Sequence, residues 1–290
     1  MEGRKVMGWA ARIHQLIFHH ILSLSGVEDV MLKVLYCVVD HTDPHQMRSE
    51  IQSSNYPLVP GHEVVGEVVE LGTEVNGRIF THGGIDKDGT PTQGGFSSAM
   101  VVHRKFVGKI PEKLEPKQAA PLLCAGVTAY SALKQFKNPD KVIKAGILGL
   151  GGVGPLGVLI AKTMGHHVTV ISSSEKKRME ALEHLPMHPL QPVISLLKFG
   201  GQLILVGVVT KPLAFDSEDL LLDRRKKTVT GSFLGSMEET QEVLDFWAEK
   251  KLNSMIEVVK MDYVNKAFER MVRNDVRYSF VLDIAGSNLE

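Results

Sequence analysis

Side chains that could bind a metal ion or transfer protons are grouped at three places in the first 124 residues. Residues 36–45 bring together a cysteine, two aspartates, two histidines and a threonine directly after an apolar run. His62 and Glu63 place an imidazole and a carboxylate on a turn before the next strand, and Cys124 stands alone further on. His62 or Cys124 alone is commoner as an ordinary buried residue, but the presence of both in one chain with a nucleotide-binding turn favours a functional site.

A glycine-rich turn follows an apolar run and precedes a helical segment; it reads Gly149, Leu150, Gly151, Gly152, Val153 and Gly154. In a doubly wound α/β domain the first glycine permits the tight turn, the second lets the backbone approach a pyrophosphate, and the third lets the helix pack on the strand. The helix N-terminus then holds the phosphate. The alternative is a glycine turn buried in a core.

The next predicted strand, residues 168–171, ends where NAD-binding proteins place an acidic residue against the ribose. This chain continues with Ser172, Ser173, Ser174, Glu175, Lys176 and Lys177. Hydroxyl groups backed by cations suit a 2′-phosphate, so the segment favours NADP(H) over NAD. The same residues are also compatible with a capped, solvated helix start at Ser174.

Composition is that of a soluble enzyme. The 290 residues favour two domains, and the balance of 33 basic against 33 acidic side chains argues against nucleic acid or an anionic membrane as partner. Cys37 and Cys124 are the only cysteines, so we do not expect a disulfide framework. We expect a reducing, cytoplasmic location instead. We expect no signal peptide and no membrane span.

The order of predicted elements is a β-rich part, an α/β part and a short return segment. Strands are predicted at residues 30–36, 63–71, 146–148, 168–171, 203–208, 229–233, 256–261 and 280–284, and helices at 156–164, 176–185, 193–199, 238–250 and 265–273. The alternation of strand and helix in the middle of the chain is typical of a parallel sheet.

Motifs along nearly the whole chain resemble those of the plant cinnamyl alcohol dehydrogenases, zinc-dependent members of the medium-chain dehydrogenase/reductase family. The matching segments are 8–12 (GWAAR), 56–68 (YPLVPGHEVVGEV), 91–96 (PTQGGF), 122–128 (LLCAGVT), 149–154 (GLGGVG), 171–177 (ISSSEKK), 230–233 (TGSF) and 274–278 (NDVRY). Only residues 13–26 match poorly. Motifs of this length are highly specific.

The resemblance implies a fold, a reaction and an assembly. The fold is α/β: a GroES-like β-rich catalytic domain formed by residues 1–124 and 236–290, and a Rossmann domain with a doubly wound parallel sheet formed by residues 125–235. The reaction is the NADPH-dependent reduction of a cinnamaldehyde, a small aromatic aldehyde, to its alcohol, as in lignin biosynthesis. The resemblance further implies a homodimer joined at the strand of residues 229–233.

Individual residues take roles through the same resemblance. Thr42 and His45 match the proton relay, and Phe80 and Phe233 match the pocket for the aromatic ring. Besides Thr42, the glycine turn and residues 172–177, the cofactor would be contacted by Thr128, Gly207, Ser232, Phe233 and Leu234.

The metal site departs from the family pattern. Where the family reads Cys-Gly-Ile-Cys-His-Thr-Asp, residues 37–43 read CVVDHTD, so Asp40 replaces the first catalytic zinc ligand. Zinc accepts carboxylates, and Asp40, His62 and Cys124 could form a three-ligand site with Glu63 in reserve. Loss of the thiolate should weaken zinc selectivity.

Two internal deletions are also expected from the resemblance. One, between Val75 and Arg78, removes the lobe that holds the structural zinc in the family, and two cysteines cannot rebuild it. The other, between Leu185 and Pro189, removes about two of the six strands of a Rossmann domain. A shortened enzyme, an inactive relic, and a dehydrogenase of mannitol or another alcohol all remain open from the sequence.

Overall fold

The structure is a computed structural model that describes residues 4–10, 16–22, 28–50, 54–71, 85, 89, 91–136, 141–171, 190–207, 213–221 and 226–288. The chain forms two compact units, unit 1 (Met1–Val127 and Ser236–Glu290) and unit 2 (Thr128–Gly235). The strands are β1 (Arg4–Ala10), β2 (Leu16–Leu22), β3 (Asp29–Val39), β4 (Val64–Leu71), β5 (Ala99–His103), β6 (Lys144–Leu148), β7 (His167–Ile171), β8 (Gln202–Leu205), β9 (Thr228–Gly231), β10 (Ile256–Lys260) and β11 (Ser279–Asp283).

The helices within the described residues differ in length. They are α1 (Thr42–Met47), α2 (Pro116–Ala119), α3 (Ala125–Lys134), α4 (Val153–Thr163), α5 (Leu190–Ser195), α6 (Glu218–Leu221), α7 (Met237–Lys250) and α8 (Val264–Val272). Helices α3, α4, α7 and α8 are the longer ones. Turns of 3₁₀ helix lie at Arg104–Phe106, Ala120–Leu122 and Met261–Tyr263. No helix of the described ranges is long and apolar enough to cross a membrane.

Strand β3 is the centre of unit 1. One of its edges pairs antiparallel with β4, while the other pairs with β5 through residues 29–33 and with β11 through residues 36–39. Strand β10 extends this sheet by pairing parallel with β11. Buried apolar side chains of β3, among them Val30, Val34 and Cys37, lie in one core with Phe280 of β11.

Two helices from the end of the chain complete unit 1. Helix α7 begins with a capping box, in which the Ser236 hydroxyl accepts the Glu239 N–H and the Glu239 carboxylate accepts the Ser236 N–H. Helix α8 buries Val264, Ala267, Phe268 and Met271, a spacing that places them on one face against the sheet. The chain therefore returns to the β-rich unit after the α/β segment.

Unit 2 contains parallel strand pairs in two separate ladders. Strand β6 pairs with β7, and β8 pairs with β9, with no described ladder joining the two pairs. Interior strands of a parallel sheet are normally covered on both faces, yet Leu148 and Val170 are each 41% exposed. The faces of these described strands are therefore only partly covered.

Most predicted elements are present within a few residues of their expected bounds. The helix expected at 193–199 is instead Leu190–Ser195, because the chain turns at Leu196 and Leu197. The strand expected at 229–233 is Thr228–Gly231, so Phe233 is not part of the ladder. The helix expected at 176–185 and both sides of the expected deletions lie outside the described residues.

Candidate active site

Asp40 follows β3 and holds the turn into helix α1. Its Oδ1 atom accepts the Thr42 N–H at 2.8 Å, which is an Asx turn. Burial alone would raise the pKa of this carboxyl, but the neighbouring His62 and the Thr42 hydrogen bonds outweigh it and lower the pKa. Asp40 is therefore an ionised side chain directed at the beginning of the helix.

Asp43 lies in the first turn of α1 and is fully buried. Its Oδ1 accepts the Gly61 N–H at 3.0 Å and its Oδ2 accepts the Asp40 N–H at 2.9 Å. The same Oδ1 lies 3.5 Å from Nδ1 of His62. The Asp43 carboxylate thus lies beside Nδ1 of the imidazole in an ion-pair contact, and Nε2 is the nitrogen nearest to Asp40. Asp43 is not among the predicted site residues, although its place in the His-Thr-Asp run was a signal.

His62 contacts two further candidate ligands. Its Nε2 lies 4.0 Å from Asp40 Oδ1, and the Cys124 side chain is close enough to change the pKa of its imidazole. Burial lowers the pKa of His62, but Asp43 and Cys124 outweigh this and raise the pKa well above its ordinary value. Burial raises the pKa of the Cys124 thiol, partly offset by His62. His62 is thus the residue that neighbours both other predicted metal ligands.

Glu63, the predicted reserve ligand, caps helix α3. Its Oε1 accepts the N–H of Cys124 at 3.0 Å and that of Ala125 at 2.8 Å. Its Oε2 is buried without a hydrogen-bond partner. Burial, reinforced by the negative charge of Asp40, raises the pKa of Glu63 to about 8. This side chain positions the backbone at Cys124.

The donor types at this pocket suit zinc, but their placement does not. Oxygen, nitrogen and sulfur donors from Asp40, His62 and Cys124 face one another, with the partnerless Glu63 oxygen beside them. No three His, Cys, Asp or Glu side chains of the described residues are arranged to hold a metal ion. The contacts are pairwise, so a ligand set as expected from the sequence is not assembled.

The two predicted relay residues lie on helix α1. Thr42 is the first residue of the helix, and its N–H donates to Asp40 Oδ1. His45 is at the surface, where its Nδ1 lies 2.5 Å from Oε2 of Glu50. The turn after the helix makes this pair, because the Glu50 N–H donates to the His45 carbonyl. Glu50 was missed from the sequence, where nothing marks such a pairing.

The glycines of the turn in unit 2 differ in backbone conformation and in the space beside them. Gly149 has φ +88°, which favours glycine, and its N–H donates to the Ile171 carbonyl at 2.8 Å. A Cβ on Gly154 would overlap the Gly149 carbonyl oxygen, whereas a Cβ on Gly151 would meet nothing within 4 Å. The open space beside Gly151, ahead of helix α4, is where a phosphate group would lie.

The other predicted cofactor and substrate residues are partly placed. Thr128 is buried at the beginning of unit 2, Gly207 faces open space, and the Ser232 N–H donates to the Leu205 carbonyl at 2.8 Å. Phe233 is 67% and Leu234 47% exposed, so neither is packed in a closed pocket within unit 2. Residues 172–177 and Phe80 lie outside the described residues.

Known proteins match this chain from end to end. Residues 26–112 match the model of the alcohol dehydrogenase GroES-like domain. A probable cinnamyl alcohol dehydrogenase of Zea mays is 49% identical, with 99% of this chain and 95% of the maize protein covered. The chain belongs to the cinnamyl alcohol dehydrogenase family. Cinnamyl alcohol dehydrogenase 2 of Oryza sativa subsp. japonica is 48% identical, with 99% of this chain and 96% of the rice protein covered.

Solved structures give the same family. A cinnamyl alcohol dehydrogenase of Sorghum bicolor superposes with a TM-score of 0.86 at 37% identity, covering 99% of each chain. The CAD of Helicobacter pylori, solved with NADP(H), gives a TM-score of 0.85 at 26% identity, covering 99% of this chain and 100% of the other. This chain is thus an oxidoreductase of the alcohol dehydrogenase type, with a GroES-like domain and an α/β fold.

The alignments also bear on the expected deletions. The match to the maize protein runs over 351 positions, although this chain has 290 residues. The maize protein therefore contains residues that have no counterpart here. This supports the prediction that internal segments are missing.

Proposed function

We propose that this protein reduces cinnamaldehydes, such as coniferaldehyde, to cinnamyl alcohols with NADPH, as a step in phenylpropanoid metabolism. The observation that carries the proposal is the 49% identity to a probable cinnamyl alcohol dehydrogenase over 99% of the chain. Retention of Thr42, His45, His62 and Cys124, in the arrangement described above, supports it. In this reaction NADPH delivers a hydride to the carbonyl carbon, and a proton reaches the oxygen.

The proposed cofactor site uses the glycine turn of unit 2. The free N–H groups at the beginning of helix α4 would bind the pyrophosphate beside Gly151. NADP(H) is supported by its presence in the Helicobacter pylori relative and by the serine and lysine content of residues 172–177. We propose that Thr128, Gly207, Ser232, Phe233 and Leu234 line the rest of this site.

The proposed proton path runs from Thr42 to His45. Thr42 carries the hydroxyl that would pass the proton toward the substrate oxygen, with the nucleotide ribose between the two residues. His45 lies on the same helix, half exposed, and its contact with Glu50 fixes the ring. This placement lets His45 exchange protons with solvent.

In zinc-holding dehydrogenases the ion polarises the substrate carbonyl. The positions that would meet such an ion are Asp40, His62 and Cys124, with Glu63 behind them. Because these side chains do not form a set that holds a metal, we expect turnover to be slow. The impairment is part of the proposal.

The same proposal covers the organisation of the protein. We propose that residues 1–124 and 236–290 form the catalytic domain and residues 125–235 the nucleotide-binding domain, which the division of the chain into units 1 and 2 supports. We propose a homodimer through strand β9, which has one described neighbour, β8. The two free cysteines suit a reducing compartment such as the cytoplasm.

Product analysis tests the reaction directly. The protein is incubated with NADPH and, separately, coniferaldehyde, cinnamaldehyde and an aliphatic aldehyde, and the alcohols are identified by chromatography. We expect alcohol from the two aromatic substrates in amounts equal to the NADPH consumed. Gly151→Ala, which would fill the space for the pyrophosphate, serves as the matched inactive control. Equal rates with the aliphatic aldehyde would contradict the substrate class, and absence of any alcohol would contradict the activity.

A further inference from the structure

We propose that Asp40 has become the residue that holds the turn into helix α1, and that the pocket of Asp40, His62 and Cys124 consequently does not retain the zinc ion its family would hold there. This inference does not depend on the aldehyde reduction proposed above. It concerns what the pocket binds, whatever the protein catalyses.

The Asp40 carboxylate already takes part in the turn into helix α1. Its Oδ1, the oxygen nearest to His62, already accepts the Thr42 N–H at 2.8 Å. In return the backbone N–H of Asp40 donates to Asp43 at 2.9 Å. The two aspartates therefore satisfy each end of the same turn. A cysteine at position 40 would lack a carboxylate oxygen for this role, so its sulfur would be available to a metal.

The distance between the His62 and Asp40 donor atoms does not suit a shared zinc ion. Nε2 of His62 and Oδ1 of Asp40 are 4.0 Å apart. One Zn–N and one Zn–O bond together measure about 4.1 Å. An ion bound to both atoms would therefore lie nearly on the line between them, whereas zinc prefers tetrahedral angles. The two side chains would have to move closer together to take tetrahedral positions around one ion.

Glu63 is the reserve ligand predicted from the sequence. Its Oε1 accepts the N–H groups of Cys124 and Ala125. Rotating Glu63 toward a metal through Oε1 would leave two buried donors at the beginning of α3 without an acceptor, which is unfavourable. Its other oxygen, Oε2, has no hydrogen-bond partner, but within the described residues no three His, Cys, Asp or Glu side chains, Glu63 included, are grouped to hold one ion. Glu63 therefore does not complete a zinc site in this arrangement.

Metal analysis of the full-length protein tests this inference. Wild type, Asp40→Asn and Asp40→Cys are purified after expression with added zinc, dialysed, and analysed for zinc by mass spectrometry. Asp40→Asn keeps an oxygen that can accept the Thr42 N–H but removes the charge. We expect wild type and Asp40→Asn to be equally poor in zinc. Asp40→Cys should retain more than about tenfold as much, since it restores a direct ligand.

Two further readouts do not depend on activity. Cobalt(II) added to Asp40→Cys should give the intense absorption of thiolate–cobalt bonds, stronger than in wild type. EDTA should lower the melting temperature of Asp40→Cys and leave that of wild type unchanged. Circular dichroism establishes whether Asp40→Cys folds; if it does not, wild type and Asp40→Asn still decide. The inference would be overturned if the wild type retains one zinc ion per chain and Asp40→Asn loses it.

Discussion

Gly154 lies against the Gly149 carbonyl so closely that even a methyl group on Gly154 would overlap that oxygen. Gly151, between them, has no such neighbour. One turn therefore contains a glycine required for packing and another whose bare side faces the space for a ligand.

Alanine at these two positions should separate folding from binding. Gly154→Ala should lower the melting temperature, because the clash is with backbone that cannot move away cheaply. Gly151→Ala should leave the melting temperature near that of wild type and weaken NADPH binding at least about tenfold, equivalent to about 1.4 kcal/mol. Calorimetric titration and thermal melts measure both. Undiminished NADPH affinity in Gly151→Ala would remove this turn from the cofactor site.

The cofactor preference depends on residues 172–177. We expect NADPH to bind at least about tenfold more tightly than NADH, because serine hydroxyls and lysine cations suit the 2′-phosphate. Lys177→Ala should lose much of this preference without changing the NADH affinity, which is the internal control. Equal affinities for both nucleotides in the wild type are the opposite outcome.

Glu63 should make stability depend on pH. Its pKa is about 8 in the folded chain against about 4.3 in an unfolded one, so between these values the folded state binds the extra proton. The stabilisation is complete below about pH 4 and is lost as pH rises toward 8, by at most about 1.4 kcal/mol per pH unit. Glu63→Gln, which keeps the acceptor oxygen, should flatten this slope.

The measurement for this prediction is denaturant unfolding from pH 5 to 9 in the presence of EDTA. Wild type and Glu63→Gln should diverge progressively with rising pH, with the variant becoming relatively more stable. Parallel curves for the two proteins would show that Glu63 does not carry the raised pKa.

Unit 2 should limit thermal stability. Phe199 is 69% and Phe233 67% exposed, and both faces of the short ladders are incompletely covered. We expect a melting temperature below the range of about 45–65 °C that is usual for mesophile domains, and aggregation on heating. Scanning calorimetry measures both, and a reversible transition above that range would contradict this account of the shortened sheet.

Local patterns predicted most elements, because the signals lie within a few residues. The apolar run of β6, the glycines after it and the spacing of Val264, Ala267, Phe268 and Met271 each determine a strand, a turn or a helix face locally. The observed bounds of an element differ from the predicted ones where hydrogen bonds to distant residues determine where the element ends, as at the end of β9.

The contacts that the site residues make could not be predicted from local sequence patterns. The contacts of His62 with Asp43 and Cys124, and of Glu63 with the beginning of α3, join residues up to 62 positions apart. Sequence identified which donor types were present, and the resemblance identified Asp40 as a departure. That Asp40 and Glu63 are committed to backbone N–H groups depends on the folded turn and helix, which no spacing rule describes.

The most direct test compares turnover of coniferaldehyde by wild type and Asp40→Cys at saturating NADPH, with and without added zinc. We expect slow turnover by the wild type and at least about tenfold faster turnover by Asp40→Cys with zinc. A residue that binds the ion directly matters more than one that only supports a ligand, and loss of the latter already costs about 10–100-fold. Asp40→Asn with zinc, expected to stay as slow as wild type, is the matched control. Fast turnover by the wild type, with no increase in Asp40→Cys, would contradict the proposal that Asp40 impairs the metal site.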